Sequence, residues 1–258
     1  MKVVILCGGQ GTRLREETAY RPKPMVEIGG RPILWHIMKL YAFYGYKEFV
    51  LCLGYKGDVI KEYFLNYHAM QNDFTVDLGS NTGIQFHGRH EEDDWKVTLV
   101  DTGADTLTAE RIYQVRNHLD DDAFMVTYGD GIADLDVASL LAYHKSQGGI
   151  ATLSGYQDVS RFGVVEANHM GWVTGFKEKP QVQEQINVGF FVFEPEIFKY
   201  LAGQATMLEK VLPQVAEDQK LAIYAHTGFW HCMDTYRDFL SLNEMWQAGN
   251  APWAVWQT

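Results

Sequence analysis

Apolar residues fall in short blocks along this chain, and the blocks alternate between two periods. Residues 3–7, 48–53, 123–128 and 150–154 are apolar at nearly every position, the texture of strands in a parallel sheet covered on both faces. Between them the period lengthens to that of a helix. Residues 33–44, opened by Pro32, place Leu34, Ile37, Leu40, Tyr41 and Tyr44 on one stripe, and 59–67 and 137–144 behave similarly. Strand alternating with helix predicts an α/β fold built on a doubly wound, mostly parallel sheet. After about residue 155 the pieces shorten. Strands are expected at 163–166, 172–177 and 188–193, a small additional β region, and helices at 196–201, 207–217 and 236–246. No repeat, low-complexity tract or Pro/Gly/Ser-rich linker divides the chain, so a single domain over 1–258 is expected. Residues 75–95 read as an irregular excursion, and the four acids Glu91 to Asp94 within it as a solvated turn rather than a metal site.

Composition narrows the partners. A chain of 258 residues that is 47% hydrophobic and 14% aromatic can bury a full core. No apolar run approaches the roughly 20 residues that cross a bilayer, so no membrane partner is expected. The apolar stretch after Lys2 ends at Gly8, shorter than the core of a signal peptide, which points to the cytoplasm. Cys7, Cys52 and Cys232 have no metal-ligand spacing and read as buried thiols in a reducing compartment. A formal charge of −11 argues against nucleic acid, whose phosphates most of the surface would repel. A small anionic substrate would then need local cations. Arg13, Arg21, Lys23, Lys177 and Lys179 are the candidates, with a divalent metal to assist.

The run Val3-Val4-Ile5-Leu6 feeds directly into Gly8-Gly9-Gln10-Gly11-Thr12-Arg13-Leu14, and Arg21-Pro22-Lys23-Pro24 follows. A buried strand ending in glycines lets backbone N–H groups approach an anion, and Arg13 and Lys23 add charge, so the segment suits a polyphosphate. Two familiar phosphate motifs fail. The dinucleotide fingerprint needs a glycine where Leu14 stands, and the Gly-Lys-Ser/Thr of a P-loop is absent. Further on, Asp130 sits between Gly129 and Gly131 just after a buried strand, where it is either a Mg²⁺ ligand or a turn residue. Asp234 ends a glycine-started aromatic segment at a helix start, where it is either a metal partner or a helix cap.

The glycine loop with its Pro-Lys-Pro resembles the signature of the sugar-phosphate nucleotidyltransferases. The segments Thr127-Tyr128-Gly129-Asp130-Gly131, Arg161-Phe162-Gly163, Glu178-Lys179-Pro180, Asn187-x-Gly-Phe-Phe and Gly228-Phe-Trp-x-x-Met-Asp-Thr235 are similar, within that family, to the glucose-1-phosphate cytidylyltransferases. The resemblance runs nearly end to end. It implies a Rossmann-like nucleotidyltransferase fold and cytidylyl transfer from CTP to a sugar 1-phosphate, with α-D-glucose 1-phosphate the favoured acceptor. Uridylyl or thymidylyl transfer, and a different phosphorylated acceptor, stay open.

The resemblance also implies roles. Leu6, Cys7, Gly8, Gly9, Gln10, Gly11, Thr12, Arg13, Lys23, Thr106, Arg111 and Gly129 would bind the nucleotide. Glu178, Lys179 and Asn187 would hold the sugar phosphate, Asp130 and Asp234 a Mg²⁺ ion, and Arg13, Lys23 and Asp130 would carry the catalysis. A homo-oligomer is implied, a hexamer among the forms. Arg111, an obligate donor, would favour the acceptors N3 and O2 of cytosine if it stands at the base edge. Two departures stand out: Val188 replaces a common glycine and is expected to crowd the sugar pocket, and His231-Cys232 replaces Gln-Pro.

Overall fold

The computed structural model describes residues 1–79, 83–158, 163–178 and 184–257. Seven strands form its main sheet: β1 (Val3–Leu6), β2 (Glu48–Leu53), β3 (Lys96–Asp101), β4 (Phe124–Tyr128), β5 (Ala151–Tyr156), β6 (Ile186–Phe193) and β7 (Leu221–His226). Their order is β7-β5-β6-β4-β1-β2-β3, and only β6 runs against its neighbours. The mostly parallel, doubly wound expectation holds.

Alternation along each strand explains the layers. Val3 and Ile5 of β1 point into one core with the helices Ile33–Phe43, Gly57–Leu65 and Val137–Gln147; Val4 and Leu6 point into the other with Thr108–Gln114 and Leu208–Glu217. Because both faces are covered, every residue of β1 is buried, which is why the strand reads as an unbroken apolar run.

The chain leaves β1 toward β2 on one side and reaches β4 on the other, with Val3 paired to both Phe49 and Met125. The two connections part at the carboxyl ends of β1 and β4, opening the crevice in which doubly wound sheets take ligands. Gly129 N–H donates to Leu6 O at 3.1 Å there, so the glycine loop and the Gly129-Asp130-Gly131 turn begin side by side.

Two strands of the main sheet lie where the apolar pattern predicts none. β3 and β7 are the sheet's edges, half-exposed along their length, and their mixed residues lack the continuous apolar signature of central strands. The excursion at 75–95 contains a hairpin, Phe74–Val76 with Ile84–Phe86. Its acidic run is a turn, as expected, but Glu92 is not solvated. It is 6% exposed, accepts from Trp35 Nε1 at 3.0 Å and pairs with Lys39 at 3.2 Å, because packing against the helix Ile33–Phe43 gives this one carboxylate two buried donors.

The C-terminal segment returns to that helix and stacks an aromatic cluster on it. Trp253 is fully enclosed, Trp246 and Trp256 lie near it, and His36 sits among all three rings. His36 Nε2 pairs with Ile28 O at 2.9 Å and Trp253 Nε1 donates to His36 Nδ1 at 3.3 Å, so the imidazole is satisfied as a neutral group. Burial pushes its pKa down from 6.5 to about 4. The unfolded chain therefore takes up this proton first, and stability falls as pH drops from about 6.5 to about 4, by up to about 3 kcal/mol from this residue. Denaturant unfolding at pH 7 and at pH 4.5 should show that loss in the wild type and a clearly smaller one in His36→Gln. Equal pH losses in the two would rule out His36 as the acid-labile element.

Candidate active site

The crevice is a cavity of about 570 Å³, within the size range of small-molecule sites. Its floor is the glycine loop. Among the described residues, the backbone N–H groups of Gly8 through Arg13 make no hydrogen bond to a protein group. Such a run is uncommon, since backbone donors are nearly always paired, and it makes the loop an anion cradle. Gly11 adopts φ +62°, which a side chain resists, and Thr18 Oγ1 donates to its carbonyl at 3.0 Å. Gly8 is required for a different reason: a Cβ there would fall 2.2 Å from Arg111 Cζ.

Arg111 lies beneath the loop, 3% exposed. Its Nη1 donates to Leu53 O at 2.9 Å and Thr102 Oγ1 at 2.6 Å, and its Nη2 to Gly8 O at 3.2 Å and Ala104 O at 3.3 Å. Burial lowers its pKa, but a guanidinium starts so high that it stays charged. The family resemblance implies a nucleotide contact for Arg111, which would select cytosine if it stood at the base edge. In the structure four of its N–H contacts go to the protein.

Two aspartates converge on the opposite wall. The strand Gly131–Ala133 pairs with Trp230–Cys232, and Met233 N–H donates to Asp130 O at 2.9 Å, so Asp130 and Asp234 emerge at the same end of one ladder. Lys23 Nζ bonds to both, to Asp130 Oδ2 at 2.7 Å and more closely to Asp234 Oδ1, and Arg13 Nη1 pairs with Asp234 Oδ2 at 2.9 Å. Burial works against the Lys23 ammonium, but the charge of Asp130 leads a set of favourable contacts that together raise its pKa. The capping alternative for Asp234 is taken by its neighbour: Thr235 and Asp238 form a reciprocal box at the start of Tyr236–Gln247. The Asp234 carboxylate is left to face the cavity.

Asp130, Cys232 and Asp234 each offer one ligand atom, all within 4.8 Å of one another. Two hard carboxylates opening onto a phosphate cradle fit a divalent ion of the Mg²⁺ type, which takes few protein oxygens and completes its shell with substrate. Burial, with Asp130 next, drives the Cys232 thiol well above its usual range, so it stays protonated.

Most residues singled out in the sequence meet here. Leu6, Cys7, Gly8, Gly9, Gly11, Thr12, Arg13 and Lys23 line the cavity, with Thr106, Arg111, Gly129, Asp130, Asn187 and Asp234. Gln10 faces solvent at the loop's crest, and Glu178 is exposed at the end of the hairpin strand Val173–Lys177; neither lines the cavity. Lys179 lies outside the described residues, as do Arg161 and Phe162. Arg21 and Lys177 are spent elsewhere, on Glu17 and Glu27 and on Glu166. Val188 lines the cavity but packs in the core with Phe190 at 4% exposure, and its carbonyl accepts from Trp230 Nε1 at 3.1 Å. Sequence reasoning passed over Tyr128, whose hydroxyl donates to Glu209 at the cavity wall. Glu209 opens a helix 81 residues away, and no local pattern ties the two together.

The family model for nucleotidyl transferases matches residues 2–248. The chain belongs to that family. It is 47% identical over 260 residues, covering 100% of both chains, to the glucose-1-phosphate cytidylyltransferase of Salmonella typhimurium, and 47% identical over 259 residues to the probable glucose-1-phosphate cytidylyltransferase of Bacillus subtilis, covering 99% of this chain and 100% of that one. A mannose-1-phosphate guanylyltransferase catalytic subunit beta from Dictyostelium discoideum is 34% identical over 93% of this chain and 63% of its own. Among solved structures, HddC of Yersinia pseudotuberculosis complexed with GMP-PN matches with a TM-score of 0.68 at 22% identity, covering 95% of this chain and 99% of that one. That similarity supports the fold alone. Nucleotidyl transferases generally need a divalent metal, in keeping with the paired aspartates.

The two leading glycines of the loop should respond differently to a methyl group. Nothing lies within 4 Å of a Cβ at Gly9, so Gly9→Ala should change stability by no more than about 0.5 kcal/mol. Gly8→Ala must displace the Arg111 guanidinium from buried acceptors and should cost about 2 kcal/mol or more. Urea midpoints of the two variants measure the contrast, and equal midpoints would show that Arg111 does not lock the loop.

Proposed function

We propose that the chain transfers the cytidylyl group of CTP to α-D-glucose 1-phosphate, giving CDP-glucose and pyrophosphate. The observation that carries this reading is the 47% full-length identity to the Salmonella typhimurium glucose-1-phosphate cytidylyltransferase. The phosphate cradle and the paired aspartates on one crevice support it.

An oxygen of the sugar phosphate, already anionic, attacks the α-phosphorus in line; the new P–O bond forms as the bond to the β-phosphate breaks, and pyrophosphate leaves. No base is needed, so catalysis is positioning and charge neutralisation. The free amides from Gly8 to Arg13 take phosphate oxygens. Lys23 transfers its donors from the carboxylates to the α-phosphoryl group, and Arg13 draws off pyrophosphate. Thr106 and Gly129 contact the nucleotide; Arg111 acts by fixing the carbonyls of Gly8 and Ala104. Asn187, Glu178 and Lys179 serve the sugar phosphate. Asp130 and Asp234 would hold Mg²⁺, which when bound would supply positive charge beside the phosphates.

The whole chain, 1–258, acts in this reading as one catalytic domain in the cytoplasm, as a homo-oligomer up to a hexamer. No helix among the described residues is long and apolar enough to cross a membrane.

Pyrophosphate release, measured with CTP, UTP and dTTP against a panel of sugar 1-phosphates and Mg²⁺, tests the assignment. CTP with glucose 1-phosphate should give the highest kcat/KM; faster turnover of another pair would replace it. Lys23→Ala should lower kcat about a hundredfold or more in a folded protein. Near-normal turnover would remove Lys23 from the reaction.

The metal reading has its own check. Asp130→Asn and Asp234→Asn should each raise the Mg²⁺ concentration needed for half-maximal rate, and together cost less than the sum of the two, because they serve one ion. Undiminished turnover in excess EDTA contradicts it.

A further inference from the structure

A second cluster of metal-ligating side chains lies away from the crevice. His68, on the short helix Tyr67–Gln71, and His90 and Asp93, in the turn before β3, each present one ligand atom, and the three atoms lie within 4.8 Å of one another. They border a cavity of about 400 Å³ that shares no lining residue with the nucleotide crevice. The rings of His68 and His90 are 5.3 Å apart.

The surroundings of His90 point to an ion. Its Nε2 is 3.1 Å from Asp93 Oδ1. Its Nδ1 is buried, makes no hydrogen bond, and faces the buried Glu92 Oε2 at 3.5 Å. Glu92 is held by Trp35 and Lys39. A carboxylate behind one imidazole nitrogen, with the other turned to a shared centre, is the support that metal-bound histidines usually have: ligation through Nε2 fixes the tautomer that donates from Nδ1, and the orphaned nitrogen gains its partner. Two imidazoles and a carboxylate form a donor set for Zn²⁺ and its first-row neighbours rather than for Mg²⁺, and the exposed side of Asp93 leaves room for water as a fourth ligand.

We propose that His68, His90 and Asp93 form a Zn²⁺-type site, separate from the catalytic metal, that clips the helix Tyr67–Gln71 to the turn ahead of β3. The clip closes the chain excursion that carries the Phe74–Val76 and Ile84–Phe86 hairpin. It does not depend on the identity of the nucleotide or the sugar.

Full-length protein stripped with a chelator and exchanged into millimolar Mg²⁺ is titrated with Zn²⁺ by calorimetry, and with Co²⁺ followed by its visible absorption. One Zn²⁺ per chain should bind at micromolar concentration or below. His68→Ala, His90→Ala and Asp93→Asn should each weaken it at least about tenfold, while turnover in Mg²⁺ stays within about twofold of wild type. Cys232→Ser, which strips the thiol beside Asp130 and Asp234, should leave it unchanged. Asp93→Asn keeps the shape of the side chain and serves if a histidine variant does not fold. No Zn²⁺ uptake by the wild type, uptake unchanged in His68→Ala and Asp93→Asn, or uptake lost only in Cys232→Ser would each overturn the proposal.

Discussion

One ammonium group holds the crevice together. Lys23 reaches Asp130 and Asp234, 107 and 211 positions along the chain, and in doing so joins the turn after the glycine loop to the ladder formed by Gly131–Ala133 and Trp230–Cys232. Two carboxylates brought this close repel each other unless a cation stands between them. The side chain of Lys23 is only 10% exposed, so the pairing is not a loose surface contact but one whose disruption leaves charge stranded. Three segments must therefore be in place at once for any of them to be comfortable. The fully buried β1 and the reciprocal cap at Thr235 fix the segments that lead to them.

Arg111 does the corresponding work on the other wall. It ties the ends of β2 and β3 to the glycine loop through Leu53, Thr102 and Gly8, so the loop's free amides are presented by a rigid base. A cradle that is already formed loses little conformational entropy when an anion arrives. The seat of the guanidinium beneath the loop depends on there being no Cβ at Gly8.

How much of this is legible in the sequence follows from which interactions are local. The central strands, the helix that begins at Ile33 and the glycine loop announce themselves, because burial on both faces or a backbone need leaves a mark within a few residues. The edge strands β3 and β7 do not, since half-exposed strands carry mixed residues. Asp130 and Asp234 can be named from their settings, but their meeting is a matter of ladder register. The same holds for Tyr128 with Glu209, and for Glu92, which a run of four acids disguises as solvated until Trp35 and Lys39 are seen beside it. Arg111 is legible in part: its residue type marks it as a donor, and it lines the cavity, but the contacts it makes with Leu53, Thr102 and Ala104 join segments that no local pattern connects.

The charge balance of the crevice explains why a metal and Lys23 belong together in the proposed reaction. As it stands, two carboxylates face two cations, Lys23 and Arg13, and the group is formally neutral. The chain as a whole carries −11, so its general field opposes a triphosphate, and attraction must come from the loop amides and from these cations at short range. Lys23 is held between both aspartates and largely buried, whereas Arg13 gives one nitrogen to Asp234 and stays largely exposed. In that proposed reaction Asp130 and Asp234 would hold a divalent ion, whose charge would satisfy both carboxylates and leave Lys23 and Arg13 to face the substrate. The aspartates keep the lysine in the crevice when no substrate is bound, and in the proposed reaction metal and phosphate would replace that pairing, turning a formally neutral group into one with surplus positive charge for the incoming anion.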